Sequence, residues 1–389
     1  MIPRFAPTYM YPDLLKGVSR SLPANVDGEL RSRLAAMHNV AHVFLVDSAR
    51  VALYVLLKAY NRPGGVLLPA YNCIVVPEAV RFAGYEPVFV DIDRASLNMT
   101  PGALAKRISE GISVVLATHL FGIPCDVEEI RRAVRGYDVL VIEDAAPALG
   151  AELRGRLVGD AADAAIISFQ STKVISGEGG GALLTNNDDL AAKVRRILQT
   201  AFTPQGLLPV FLKSFGRKAA SCPPVYAAAQ RCYRILRDEQ MYELVQPHTE
   251  APSRYLRLCS KYSAYLVLRQ LENMSWNLAR RRKIAQIYQE ELHGLPLRLP
   301  VFPDGASPAW IQYPIQVDDK ESVYRHMQKK GVDLTWTYRY SCAESYGLNG
   351  FVNAHEAAKT VLGLPTYPSL TDDQARFIGS TVKAHFDGK

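Results

Sequence analysis

From about residue 42 to residue 184 the chain alternates short apolar runs with longer mixed stretches. The runs 42–46, 65–68, 88–90, 113–118, 139–142, 164–167 and 182–184 predict strands. The run 139–142 is unbroken, as suits a parallel strand buried on both faces. Between these runs, 51–59, 76–83, 101–108 and 127–134 predict helices. Asp126 is placed to cap the last of them, with Glu128 and Glu129 at the positive end of its dipole. Such alternation predicts an α/β sheet with crossover helices.

The pattern changes between 203 and 247. Apolar clusters such as Leu207-Leu-Pro-Val-Phe-Leu212 and Val225-Tyr-Ala-Ala-Ala229 are broken by Pro223-Pro224 and mixed with arginines and lysines. Packing against a partner subunit or over an active site is favoured here over an amphipathic surface that touches a membrane or a lipid-linked substrate. Farther on, a helix at 274–292, a strand at 310–317, a helix at 320–330 and a final helix at 372–385, with Thr371 as its N-cap, are predicted.

Composition narrows the classes. A chain of 389 residues with ordinary apolar content suggests about two domains. No apolar run approaches the ~18 residues that span a bilayer, and the first residues lack the layout of a signal peptide, so a cytoplasmic location is expected. The net charge of +7 is spread out apart from Arg280-Arg-Arg-Lys283, which reads as a solvated face or an interface element; no aromatic residues interleave with it as nucleic-acid binding would require. Six scattered cysteines without C-x-x-C indicate neither zinc nor a disulfide framework. Gly177-Glu-Gly-Gly-Gly181 lacks the Gly-Lys-Ser/Thr ending of a phosphate loop, and no G-x-G-x-x-G opens a helix after the first strand. Nucleotide hydrolysis and dinucleotide redox chemistry are therefore unsupported.

The informative chemistry lies at two strand ends. Lys173 sits in Ser168-Phe-Gln-Ser-Thr-Lys173, between two apolar runs and ahead of a glycine cluster, where an amine could bond to an aldehyde cofactor and later shuttle protons. Asp144 closes the 139–142 run, at the strand edge where ligands collect in open parallel sheets. A carboxylate there can keep a pyridine nitrogen protonated, so that pyridoxal phosphate acts as an electron sink. Either residue alone could be an ordinary loop or capping group; together they favour the cofactor reading. His119, at the end of 113–118, is either an acid or base or a histidine bonded within its loop, and the second reading is preferred.

Several motifs, in order, resemble the DegT/DnrJ/EryC1/StrS family of aminotransferases. They are Ser48-Ala-Arg-Val-Ala-Leu53, Leu68-Pro-Ala-Tyr-Asn-Cys73, Ala83-Gly-Tyr-Glu-Pro-Val-Phe-Val-Asp-Ile-Asp93, His119-Leu-Phe-Gly122, Glu143-Asp-Ala-Ala146, Ser168-Phe-Gln-Ser-Thr-Lys173, Gly177-Glu-Gly-Gly180 and Leu362-Gly-Leu-Pro-Thr-Tyr-Pro368. The resemblance implies fold-type I of the pyridoxal-phosphate enzymes: a large cofactor domain over 1–252, with 203–247 as an insertion, and a small C-terminal α/β domain over 253–389. It implies Lys173 as the cofactor-bonding lysine, Asp144 as the partner of the pyridine nitrogen and Ser168 as a phosphate contact. The Ser48-Ala49-Arg50 turn matches the phosphate cradle. Where many members have Gly-Thr, this chain has Ala49-Arg50, so that Arg50 either replaces the hydroxyl contact by a charge-assisted one or is a solvated first-turn arginine. Cys73 stands where an aromatic ring often covers the cofactor, leaving that face to Tyr71 or to the thiol itself. Pro147 replaces a usual glutamine, and the Asn-Tyr-Arg-Met stretch near the subunit interface is absent between 254 and 271. Arg339, in Trp336-Thr-Tyr-Arg-Tyr340, is a substrate-binding candidate whose alternative is a residue on a plain strand.

The implied activity is transfer of an amino group from a small-molecule donor, L-glutamate, to a keto acceptor, most plausibly a nucleotide-linked sugar, in a homodimer. A non-sugar keto or aldehyde acceptor and a non-catalytic regulatory protein on the same fold are the alternatives.

Overall fold

The computed structural model describes residues 1–18, 22–109, 111–237 and 246–387. Each predicted apolar run between 42 and 184 forms a strand: β1 (His42–Val46), β2 (Gly65–Pro69), β3 (Glu86–Val90), β4 (Ile112–Thr118), β5 (Leu140–Asp144), β8 (Ala164–Ser168) and β9 (Gly181–Thr185), with the short β6 (Glu152–Leu153) and β7 (Arg156–Leu157) between β5 and β8. The seven longer strands make one sheet in the order β1-β9-β8-β5-β4-β2-β3. Neighbours from β8 through β3 are parallel, and β9 runs antiparallel to both β8 and β1.

Alternation of side chains across the pleat explains why these runs are apolar throughout. Val114, Leu116, Ile142 and Ile166 join the core under helices Ala49–Tyr60 and Val75–Phe82. On the opposite face, Val115, Ala117 and Val141 pack with helix Val127–Ala133. Ala165 and Ile167 pack there with helices Val26–His38 and Lys261–Leu271. Burial on both faces leaves no polar side to the sheet.

The C-terminal part contributes β10 (Ala306–Ser307), paired with β6, and a hairpin of β11 (Tyr313–Gln316) and β12 (Val361–Leu364). Helix Met274–Leu292 and the final helix Asp372–Asp387 lie together here. The division at residue 252 is a proposal about folding units, and packing across it is dense: Ala264, Val267 and Leu271 share a core with β8 and β9, and Ile2 forms a parallel bridge with Val332.

Capping follows the sequence. Asp126 accepts from Glu129 N–H at 3.0 Å. Thr371 Oγ1 accepts from Gln374 N–H while Gln374 Oε1 accepts from Thr371 N–H, a reciprocal capping pair. The sequence reading of 203–247 as apolar clusters interrupted by proline misses two helices, Leu207–Ala220 and Pro223–Arg237, and its part at 238–245 lies outside the described residues. Pro209, Pro223 and Pro224 occupy first-turn positions, where a missing N–H breaks no intrahelical bond, so they open helices instead of interrupting them. Residues 336–340 form no strand; the chain there is irregular, with Tyr338 at φ 24°.

Candidate active site

The parallel strands β4, β5 and β8 and the end of β1 deliver their last residues to one edge of the sheet, above which lies a cavity of about 570 Å³. Register decides who meets whom. Thr118 lies opposite Asp144 in the β4–β5 pair. Val46, Gly181 and Ser168 share one row across β1, β9 and β8. A Cβ on Gly181 would come within 2.5 Å of Ala49 N and of Ser48 C, so glycine is what lets the Ser48 turn close onto the sheet.

Glu143 and Asp144 are neighbours on a strand and so face opposite ways. The Glu143 carboxylate accepts from His119 Nε2 at 3.1 Å and from the N–H groups of Gly159 and Ala161, each at 2.7 Å. Burial alone would raise this carboxyl, but these hydrogen bonds outweigh it and hold the group below its ordinary range. His119 Nδ1 accepts from Cys125 N–H at 2.9 Å, so the ring proton sits on Nε2 and goes to Glu143. His119 is thus held between Glu143 of β5 and the Cys125 N–H of its own loop, and is absent from the cavity lining.

Asp144 lines the cavity. Its Oδ2 accepts from Thr118 Oγ1 at 3.3 Å and its Oδ1 from Ala146 N–H at 3.1 Å. Asn72 Nδ2 donates to Thr118 Oγ1 at 3.0 Å and so orients the hydroxyl behind the carboxylate. Burial raises the Asp144 carboxyl, against the pull of Lys173, Ala146 N–H, His119 and Thr118. Lys173 also lines the cavity, on the loop that follows β8. Burial lowers its ammonium and Asp144 partly restores it. Among the described residues, Lys173 Nζ makes no hydrogen bond or ion pair. Burial thus shifts both groups in opposite directions while each one's charge pulls the other back.

At the other end of the cavity, Ser48 is the extended N-cap of helix Ala49–Tyr60, yet its side chain makes no capping bond. Its Oγ is buried without a hydrogen-bond partner among the described residues. Arg50, half-buried in the first helical turn, faces the same space and has no ion-pair partner among the described residues. Ala49 and Ser168 complete this end, with Ser168 Oγ accepting from Gln170 N–H at 3.3 Å. An orphaned hydroxyl, free helix N–H groups and an unpaired cation together form an anion cradle. With an amine and a carboxylate in the same cavity, the donor set fits pyridoxal phosphate.

The covering residues differ in part from expectation. Cys73 faces the cavity, its thiol pushed up by burial against the pull of Lys173 and Arg50. Tyr71 does not line it; the ring is fully buried between Phe121 and Tyr338, and its hydroxyl donates to Thr337 O at 3.4 Å. The aromatic side chains that do line the cavity are Phe5, Trp336 and Tyr338. Arg339 is exposed and outside the lining, because the turn at Tyr338 sends successive side chains apart. Sequence reasoning missed Arg4, Phe5 and Arg217, which reach the rim from the N-terminal arm and from helix Leu207–Ala220. Nothing local marks them; only the tertiary fold brings them in.

Comparison with known proteins agrees with this geometry. An uncharacterized protein of Methanocaldococcus jannaschii is 26% identical over 354 residues, 87% of this chain and 84% of that one. Among solved structures, DesI, determined in the presence of its TDP-sugar product, is 22% identical with TM-score 0.79, covering 100% of this chain and 93% of that one. The sugar aminotransferase CalS13 from Micromonospora echinospora is 22% identical with TM-score 0.78, covering 99% of this chain and 100% of that one. These two likenesses show the fold. The DegT/DnrJ/EryC1/StrS aminotransferase family matches residues 25–383, nearly the whole chain, and the protein belongs to that family.

Proposed function

We propose that the protein binds pyridoxal phosphate and moves an amino group from L-glutamate, or a similar amino acid, to a keto sugar, most plausibly nucleotide-linked. The observation that carries the reading is the convergence of Lys173, Asp144 and the unsatisfied Ser48 turn on one cavity. When bound, pyridoxal phosphate supplies an aldehyde for the amine nitrogen and a ring that stores the electrons of a substrate C–H bond. Ser48 Oγ, the first N–H groups of helix Ala49–Tyr60, Ser168 and Arg50 hold the phosphate. The Asp144 carboxylate, oriented by Thr118 and Ala146 N–H, keeps a proton on the pyridine nitrogen. Lys173 Nζ would bond the aldehyde carbon and, as a free amine, would carry the proton to and from the substrate carbon. Cys73 and Tyr338, which line the cavity, would cover the ring.

The sugar acceptor is supported by the product that DesI was solved with and by the name of CalS13. Of the arginines that line the cavity, Arg4 pairs with Asp333 and Arg217 with Glu178, while Arg50 has no ion-pair partner among the described residues and favours an anionic group there. A homodimer with an active site at the subunit interface, and a cytoplasmic location, complete the proposal. Among the described residues no helix is long and apolar enough to cross a membrane.

The test is the visible spectrum of the purified protein with pyridoxal phosphate, before and after L-glutamate, beside Lys173→Ala. A lysine-dependent coloured band that glutamate bleaches is expected; absence of the band in wild type would overturn the reading. Nucleotide-linked keto sugars and simple ketones or aldehydes, offered in turn, then separate the sugar acceptor from a non-sugar one.

A further inference from the structure

The loop carrying Lys173 runs into Gly177-Glu178-Gly179, and Glu178 is out of keeping with its setting. It is a non-glycine residue at φ 57° with a side chain that is 0% exposed. Left-handed backbone and a buried carboxylate each oppose folding unless something is gained by them. The carboxylate is fully engaged. Oε1 accepts from Tyr9 Oη at 2.9 Å and from Ser176 Oγ at 3.2 Å. Oε2 accepts from Ser171 Oγ at 2.7 Å and from Arg217 Nε at 2.7 Å, with Lys213 Nζ 3.8 Å away. Lys213 Nζ also donates to the Glu178 carbonyl at 2.5 Å.

Two features set this hub apart from an ordinary buried ion pair. Ser171 and Ser176 bracket Lys173 in sequence, so one carboxylate ties down both ends of the short loop that presents the amine. The other partners come from far along the chain: Tyr9 from the N-terminal arm, Lys213 and Arg217 from helix Leu207–Ala220. Arg217 also lines the cavity, 5.6 Å from the ring of Phe5. The hub therefore joins the lysine loop to the two segments that form the rim.

Resting on the reading that Lys173 bonds the cofactor, we propose that Glu178 is a positioning residue for Lys173, held in place by Arg217 and Lys213, so that helix Leu207–Ala220 is part of the catalytic apparatus. Glu178 reaches no reacting atom; it acts through Ser171 and Ser176 on the direction in which Lys173 points. Arg217 acts on the lysine through Glu178.

The experiment compares wild type, Glu178→Gln, Arg217→Met, Arg217→Lys and the double variant Glu178→Gln/Arg217→Met, all loaded with pyridoxal phosphate. Single-turnover bleaching by L-glutamate without acceptor gives a rate and a half-saturation concentration, and thermal unfolding is followed alongside. Glu178→Gln is expected to slow bleaching about tenfold with half-saturation changed less than about twofold, since misdirecting the amine harms the proton transfer and not donor binding. Arg217→Lys should recover most of what Arg217→Met loses. The double variant should be no slower than about twofold beyond Glu178→Gln, because both residues act through one link. Should Glu178→Gln not fold, Ser171→Ala removes one tether with little change of volume and must show the same rate-only loss. A folded Glu178→Gln that bleaches at the wild-type rate, or single losses that multiply in the double variant, overturns the proposal while the cofactor reading stands. A wild type that forms no coloured complex overturns both.

Discussion

Lys320 opens helix Lys320–Lys329 as a buried cation without a carboxylate partner among the described residues. It is 4% exposed. Its Nζ donates to Ala358 O at 2.9 Å and to Thr337 O at 3.4 Å and lies 4.9 Å from the centre of the Trp336 ring. Burial, with a smaller push from Arg339, lowers it to about 7 from an ordinary 10.5. Because the folded value is depressed, the unfolded chain binds more protons between the two values, and stability rises with pH across that window. Linkage puts the penalty of the buried charge at roughly 4 kcal/mol at pH 7 and roughly 2 kcal/mol at pH 9. Lys320→Met removes this dependence along with two carbonyl hydrogen bonds and the ring contact. With an unfolding entropy of about 2.1 cal/mol/K per residue, the whole chain carries about 0.8 kcal/mol/K, so the ~2 kcal/mol change amounts to about 3 °C. The expected result is that the Tm advantage of Lys320→Met over wild type shrinks by about 3 °C between pH 7 and pH 9, measured by scanning calorimetry at one scan rate. A difference independent of pH over that range would show that the carbonyls and the Trp336 face keep the lysine charged, and would refute the argument from burial.

Two further outcomes follow from the cavity. Ser48→Ala deletes a hydroxyl that has no partner among the described residues, so cofactor-free protein should lose nothing in thermal stability, or gain up to about 1 kcal/mol. Pyridoxal phosphate should bind more weakly by roughly tenfold, read by titration of the coloured band; a large stability loss without cofactor would contradict the orphaned hydroxyl. Asp144→Asn keeps shape but withdraws the charge that opposes a neutral pyridine nitrogen. Glutamate bleaching should fall by on the order of a thousandfold while Tm stays within a few degrees, and a loss below tenfold would remove Asp144 from the proposed role.

That Asp144 and Lys173 meet in one cavity was legible because Asp144 ends one apolar run and Lys173 lies on the loop that follows another, and strand ends are where a parallel sheet exposes its chemistry. The sheet was legible from the shortness and the turn residues that bound its apolar runs, since the helix Ala49–Tyr60 carries an unbroken apolar run of its own at 51–57. Orientation was harder to read. Tyr71, Asn72 and Cys73 are adjacent in sequence, yet Tyr71 points into the core against Phe121, Asn72 supports Thr118, and only Cys73 faces the cavity. Beyond the end of a strand the two-residue period no longer predicts which way a side chain turns. The same loss of period hides that the left-handed turn at Tyr338 gives the cavity the tyrosine and solvent Arg339. Farthest from sequence reading is the Glu178 hub. Its partners Tyr9, Ser171, Ser176, Lys213 and Arg217 lie up to 169 residues away along the chain, and each is unremarked in its own context. What the sequence does hold is the anomaly at the centre, a lone carboxylate inside a glycine loop. A charged residue where glycines make the chain permissive is a sign that something distant must come to meet it.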